Sequence, residues 1–278
     1  MISEQFRIWR LLITGFLNAF ENMAIDEAIL KACSIGKSPP TIRVYGWRPH
    51  AISLGYSQKI KDTINREACE RLEVDIVRRP TGGRAVLHDE ESTYSLISPI
   101  DNPLFPPNIL GSYQKISSCL IWVFKRLGIE AQMVIPKEEI KSPFERRVDP
   151  ICFLSPSWYE ITVNSRKICG SAQRRSDAAF LQHGSILLKF DPMKLTEILS
   201  FKEGNRTEII DYLRTKITSV NEQLSRSIGF FEFNEMLTEG FKQGLDLELK
   251  EGELSPEEHR LKKEYLEKRY LNPSWNYR

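Results

Sequence analysis

Cys33, Cys69, Cys119, Cys152 and Cys169 are the side chains of this 278-residue sequence best suited to covalent group transfer, and their settings differ. A thiol attacks as its thiolate, so a nucleophilic cysteine needs a nearby cation and access to substrate. Cys33 and Cys119 fall on apolar helical stripes, where a small core residue is the ordinary reading. Cys69, in REACERL, lies beside its stripe, and Cys169 alternates with Lys167 in RKICGSAQ and reads as packed in a strand. Cys152 alone sits in a proline-flanked loop, DPICFLSPSW, with no base beside it. The residues by themselves leave it open between a structural thiol and a nucleophile, and leave Lys167 open between a solvated strand lysine and an activating cation.

A second candidate is the run RRPTGGRAVLH, residues 78–88, which sets Arg78, Arg79 and Arg84 around the pair Gly82–Gly83. Glycines there allow positive φ or a close approach of ligand to backbone, and the spacing is that of neither a Walker loop nor a dinucleotide fingerprint. The pattern predicts a strand ending at Arg78 or Arg79, a PTGG turn and a second strand from Ala85, a hairpin-like connection. An ordinary turn with solvated arginines satisfies the same pattern. His88 and His183 are candidate hydrogen-bonding groups of a pocket, or structural histidines.

The elements that must carry these residues are legible from periodicity. TIRVYGW, WYEITV and SILLKF alternate at period two and read as half-buried strands, with a glycine turn in LQHGS opening the last. Ile25, Ala28, Ile29, Ala32 and Cys33 follow the helical period, as do Ile116, Cys119, Leu120, Val123, Phe124 and Leu127. Strands precede one helix, more strands follow, and a helical region is expected from about Pro192 to Tyr270. This irregular interleaving predicts an α+β fold rather than a doubly wound sheet. Segments 99–107 and 136–156 read as loops, and the charged tail 254–269 as a solvated peripheral helix.

Thirty-nine basic and 37 acidic residues leave a formal charge of +2, so no net field favours nucleic acid or a membrane surface. The apolar run from Ile8 to Phe20 is broken by Arg10, Gly15 and Asn18 and is too short to span a bilayer. An odd cysteine count without CxxC or zinc-type spacing argues for reduced thiols and a cytoplasmic protein, in which the sequon at Asn205 carries no meaning. No metal or cofactor is expected, and the absence of a heptad run makes a monomer the expectation.

Taken in order, RRPTGGRAVLH, RKICGSAQ and LQHGS resemble the lipoate and biotin protein ligase superfamily, in its lipoate-attaching branch, over roughly residues 30–250. Residues 149–160 and the C-terminal SWNY are most similar to the cysteine-dependent, lipoate-ligase-like octanoyltransferases of that superfamily. The resemblance implies the biotin/lipoate protein ligase catalytic-domain fold, an α+β domain with a central mixed sheet flanked by helices. It places the catalytic domain at 30–250, with residues 1–29 packed on the same domain and 251–278 as a helical tail.

For function, the resemblance implies transfer of octanoyl from octanoyl-acyl carrier protein, through a thioester on Cys152, to a lysine of a lipoyl-domain protein such as the glycine cleavage H protein. Lys167 matches the lysine that lowers the thiol pKa. Arg79, Gly82, Gly83, Arg84, His88, Gly170, Ser171, Ala172, His183 and Gly184 are the expected substrate-binding residues, with Gly82 and Gly83 walling an acyl tunnel. An ATP-dependent lipoate ligase and an amidotransferase between lipoyl domains share these motifs. Cys169 departs from the pattern as a second thiol two residues from Lys167.

Overall fold

The computed structural model describes residues 6–134, 160–176, 178–200 and 205–278. In chain order the elements begin with β1 (Ile8–Leu17), α1 (Ala19–Ser34), β2 (Thr41–Trp47), β3 (Ala51–Leu54), α2 (Arg66–Arg71), β4 (Asp75–Arg78), β5 (Val86–His88) and β6 (Glu91–Pro99). Then come α3 (Ile109–Arg126), β7 (Ala131–Val134), β8 (Glu160–Val163), β9 (Arg166–Arg175) and β10 (Ala179–Leu187). The remainder is α4 (Pro192–Ile198), α5 (Arg206–Lys216), α6 (Val220–Gln223), α7 (Phe230–Leu245), β11 (Glu248–Glu251), α8 (Pro256–Tyr265) and α9 (Pro273–Asn276).

Eight strands form one mixed sheet in the order β11-β1-β2-β6-β10-β9-β8-β7, and a small sheet has the order β4-β3-β5. β1 runs parallel to β11 and β2, and the ladder from β2 to β7 is antiparallel. The α+β expectation holds, with helices on both faces. On one face Ile42, Val44, Tyr94, Leu96 and Ile186 pack with Cys119 and Leu120 of α3 and Phe233 and Phe241 of α7. On the other, Leu12, Ile97 and Leu181 meet Ile25, Ile29 and Cys33 of α1.

The capping is local chemistry: the side chains of Asn18 and Asn108 accept backbone N–H groups at the starts of α1 and α3, satisfying donors that have no intrahelical partner. A further core beneath the small sheet joins Ile52, Leu54 and Ile76 to Leu195, Leu213 and Ile217.

Four local expectations change. β2 is buried along its whole length instead of on one face, because α1 covers the side that carries Arg43 and Tyr45. The PTGG connection is no hairpin: β4 and β5 flank β3, pairing with it in parallel and antiparallel sense. A glycine-rich turn reads the same whether its strands touch or straddle a third, and AISL is too short to announce itself. Gly184 lies mid-strand in β10, opposite Ser171 and Tyr94, where it opens no turn. Finally, β11 interrupts the helical C-terminal region; its residues ELKE are largely exposed, as an edge strand permits.

The tail also differs from a solvated helix. α8 begins with a capping box between Ser255 and Glu258, and fully buried Glu258 takes the Arg10 guanidinium on both carboxylate oxygens. Tyr270, also fully buried, donates to Glu27 of α1 at 2.7 Å.

A Cβ at Gly184 would stand 2.4 Å from Ser171 Oγ and 2.7 Å from a Tyr94 ring carbon, distances that real contacts do not reach. Gly184→Ala is expected to destabilise the protein by about 1–3 kcal/mol, the usual cost of overpacking a filled interior, as measured by the midpoint of urea unfolding.

Candidate active site

The glycine loop is wrapped around the Arg79 side chain. Its guanidinium donates to the carbonyls of Gly82 (2.9 Å), Arg84 (2.7 Å) and Ser53 (2.9 Å), and only 4% of the residue is exposed. Five N–H donors in a rigid fork suit this task, since they satisfy carbonyls that a tight turn cannot pair internally. Gly83 has φ +93°, and its carbonyl lies so close to Gly55 that a Cβ there would be 1.8 Å from the oxygen. Gly82 and Gly83 are exposed and Arg84 is half-buried, whereas Thr81 is buried and faces inward.

Two histidines tie this loop to the main sheet. Thr81 Oγ1 lies 2.7 Å from His183 Nε2, and His183 Nδ1 lies 3.3 Å from Asp26 Oδ2. In parallel, Arg79 donates to Ser53 Oγ, which is 2.7 Å from His88 Nε2, and His88 Nδ1 is 2.7 Å from Glu91 Oε1. His88 also stacks on Trp47 with ring centroids 3.9 Å apart. Both candidate histidines therefore have acidic partners, Asp26 and Glu91, which periodicity did not reveal.

Ser53–His88–Glu91 has the hydrogen-bond order of a nucleophile relay. Ser53 is 1% exposed on the central strand of the small sheet, however, and its hydroxyl is occupied by Arg79 and His88. The chain of bonds acts as a tether.

Asp26 is fully buried on α1 and receives Arg43 at 2.8 Å, Tyr45 at 2.9 Å, Ser95 at 2.9 Å and His183. Burial opposes its charge, but the Arg43 guanidinium and the His183 bond outweigh it and hold the carboxyl below its usual range. For His183 burial prevails over the attraction of Asp26 and lowers its pKa from the ordinary 6.5. A neutral His183 that donates from Nδ1 to Asp26 and accepts the Thr81 hydroxyl at Nε2 satisfies every atom of the relay.

On β9 a register shift against β8 sets Thr162 opposite Lys167 and Ile161 opposite Cys169. Ile161, Val163, Ile168 and Cys169 all belong to the α3–α7 core. Lys167 consequently shares the other face with Thr162, and with Gly170 and Ala172 farther along β9. Ala172 is the cross-strand neighbour of His183. The bulge thus turns Lys167 to the same face of the sheet as His183, whose ring meets Thr81 of the glycine loop. Lys167 is 3% exposed, and its ammonium lies 2.5 Å from Glu160 Oε1. Ser171, on the opposite face, meets the Tyr94 hydroxyl at 2.8 Å.

Four thiols are described, and all are buried and free of disulfides. Burial pushes Cys169 up to about 12, against weaker opposing effects of Ser171 and Lys167. It likewise raises Cys33 and Cys119 to about 12 and Cys69 to about 11. None of the four is a thiolate at neutral pH. Cys152 lies outside the described residues.

A cavity of about 580 Å³ opens at one end of the main sheet beside the His88–Trp47 stack, walled by Phe16, Trp47, His50, Glu91, Ile228 and Phe230. None of the expected site residues lines it. Sequence reasoning missed Asp26, Thr81, Glu91 and Glu160. Asp26 carried a signal, an acid inside the apolar helical run AIDEAIL.

The lipoyl protein ligase A/B catalytic domain matches residues 18–242 of this chain. The chain belongs to that family. Octanoyltransferase LipM of Brevibacillus brevis is 43% identical to it over 272 residues, covering 97% of this chain and 99% of the relative. Octanoyltransferase LipM of Bacillus subtilis is 40% identical over 272 residues, covering 97% and 98%. Among solved structures, a bipartite lipoate protein ligase from Thermoplasma acidophilum superposes with a TM-score of 0.80 at 23% identity, over 96% of this chain and 95% of that one. A lipoate-protein ligase A bound with ATP gives 0.78 at 22% identity over 96% and 98%. The expected fold family and its mixed central sheet are therefore established.

Between its lowered folded pKa and the ordinary value of about 6.5, His183 is protonated in the unfolded chain and neutral in the folded one. Its contribution to stability is complete above pH of about 6.5 and is lost as pH falls below it. The unfolding midpoint should accordingly begin to drop below about pH 6.5, and His183→Gln should flatten that limb. Identical slopes for both proteins would remove His183 as its cause.

Proposed function

We propose that this protein is an octanoyltransferase of protein lipoylation, working in the cytoplasm. In this reading it takes octanoyl from octanoyl-acyl carrier protein onto Cys152 and passes it to a lysine of a lipoyl-domain protein, the glycine cleavage H protein being the expected acceptor. Full-length similarity to octanoyltransferases supports the transfer reaction. The observation that carries the division of labour is the pairing of Lys167 with the loop-bearing face while every described thiol is buried and protonated. Cys152, eight residues ahead of Glu160 in the chain, is the thiol that the family resemblance assigns to the chemistry.

The steps balance without ATP. The Cys152 thiolate attacks the donor thioester carbonyl, an S–C bond forms, and the carrier thiolate leaves and takes up a proton. The acceptor lysine, as free amine, then attacks the same carbonyl; the C–N bond forms, its proton passes to solvent, and the Cys152 thiolate is released. Lys167 stabilises that thiolate in both halves. A free thiol has a pKa of about 8.5, and a cation within about 4–6 Å lowers it by roughly 1–3 units. Thr81, Gly82 and Gly83 hold the backbone edge along which the acyl group lies, and Arg79 shapes that edge from beneath.

Intact-protein mass spectrometry after mixing with octanoyl carrier protein should show one octanoyl adduct that peptide mapping assigns to Cys152. Cys152→Ala should abolish it and Cys169→Ala should retain it; an adduct on Cys169 would overturn the assignment. Lys167→Ala should slow adduct formation at neutral pH about ten-fold or more and move the rising limb of the pH–rate profile toward about 8.5. Octanoyl transfer without ATP, compared with free lipoate plus ATP, separates this activity from that of a ligase.

A further inference from the structure

The adjacent arginines that open the glycine loop are split in role, and Arg78 faces away from the loop. Arg78, the last residue of β4, is fully exhausted by main-chain oxygens, with no exposed surface at all. Its guanidinium donates to Gly55 (2.8 Å), Tyr56 (3.2 Å) and Gln58 (2.6 Å) on one side. On the other it donates to Trp275 (3.0 Å), Asn276 (3.3 Å) and Arg278 (2.7 Å). Among the described residues no carboxylate side chain forms an ion pair with it. A cation withdrawn from water and held by six main-chain oxygens is costly to leave partly unbonded, so both segments must be seated together.

The C-terminal residues also grip the Arg78 backbone. Asn276 Oδ1 accepts the Arg78 N–H at 3.0 Å, and Trp275 Nε1 donates to the Arg78 carbonyl at 3.0 Å. Asn276 Nδ2 is fixed in turn by the Tyr270 carbonyl at 2.6 Å, and Tyr270 is anchored to Glu27 of α1. Arg278 spans the gap: its guanidinium lies over both Tyr56 and Trp275, 4.5 and 4.2 Å from the ring centroids. The segment it reaches is the floor of the glycine loop. Tyr56 N donates to the Thr81 carbonyl at 2.9 Å, Arg79 N donates to the Leu54 carbonyl at 3.0 Å, and Gly55 abuts the Gly83 carbonyl.

We propose that residues 275–278, acting through Arg78, are a positioning element for the glycine loop in octanoyl transfer, so that the active-site edge is assembled from segments 198 residues apart in the sequence. This inference rests on the function proposed above. The loop tip, Gly82–Gly83, has little side-chain packing of its own, and a glycine backbone surrenders the most conformational freedom on being fixed. The histidine tethers hold Thr81 and Arg79 from the sheet side, and the tail holds residues 55–58 from the opposite side.

The test compares the parental protein with a variant lacking residues 275–278 and with Asn276→Ala, at a temperature where thermal melts show each variant to be folded. Expected is a loss of kcat for octanoyl transfer of about ten- to a hundred-fold in the deletion, the effect of a small misplacement of a positioning group. KM for the acceptor domain should stay within about two-fold, and the amide of Tyr56 should exchange with solvent faster than core amides of β10. Asn276→Ala should move all three readouts in the same direction by less. A parental kcat in both variants overturns the proposal, as does a loss of kcat with unchanged Tyr56 exchange. Should the deletion fail to fold, Asn276→Ala decides by the same readouts. A parental protein that transfers no octanoyl would refute the proposed function, and Tyr56 exchange would then judge the tail alone.

Discussion

The buried carboxylate of Asp26 is the constraint on which the arrangement turns. It sits on α1 and is approached by groups from β2, β6 and β10, namely Arg43 and Tyr45, Ser95, and His183. A carboxylate this deep is tolerable only if its oxygens are fully hydrogen-bonded and a cation stands beside it. Meeting that requirement forces α1 into one position over the centre of the sheet. Through His183 and Thr81 the same requirement reaches the glycine loop. The electrostatics of a helix–sheet interface thereby determine where a backbone edge lies more than one element away.

The division of the sheet into two chemically different faces follows from one bulge. Without the register shift between β8 and β9, strict alternation would put Lys167 on the side of Cys169, inside the α3–α7 core. There an ammonium would have to be desolvated among Leu and Phe side chains. The extra residue lets Ile168 and Cys169 both enter that core and delivers the ammonium to Glu160 on the opposite side. A bulge next to a functional group is a common way to re-aim a side chain. It also sets the Cys169 thiol and the Lys167 ammonium on opposite faces although they are two residues apart.

Periodicity made the main strands and the two long helices visible because each buries an apolar face against one partner layer. It failed where two layers cover a strand. TIRVYGW looks half-polar, yet Arg43 is wholly buried because Asp26 supplies the counter-charge from another element. Short strands such as AISL and ELKE hold too few residues for a period to emerge, and their existence depends on partners distant in the chain. The glycine loop, Lys167 and His183 were singled out as candidate site residues through motif resemblance. Their acidic partners were not, since Asp26, Glu91 and Glu160 are brought near only by folding. Nothing in RRPTGGRAVLH distinguishes an arginine that serves a turn from one that serves the C-terminus.

The contrast between Arg78 and Arg79 shows why adjacent identical residues carry different duties. Successive side chains of a strand point to opposite faces, so one guanidinium enters the loop and its neighbour leaves it. The Arg78 guanidinium binds main-chain oxygens of residues 55–58 and 275–278, and that of Arg79 binds oxygens of Ser53, Gly82 and Arg84. The loop is therefore braced from two sides, by Arg79 within it and by Arg78 with residues 275–278 beneath it. Its exposed glycines remain as bare backbone, so the position of the loop tip is set by these two arginines and the histidine tethers rather than by side chains of its own.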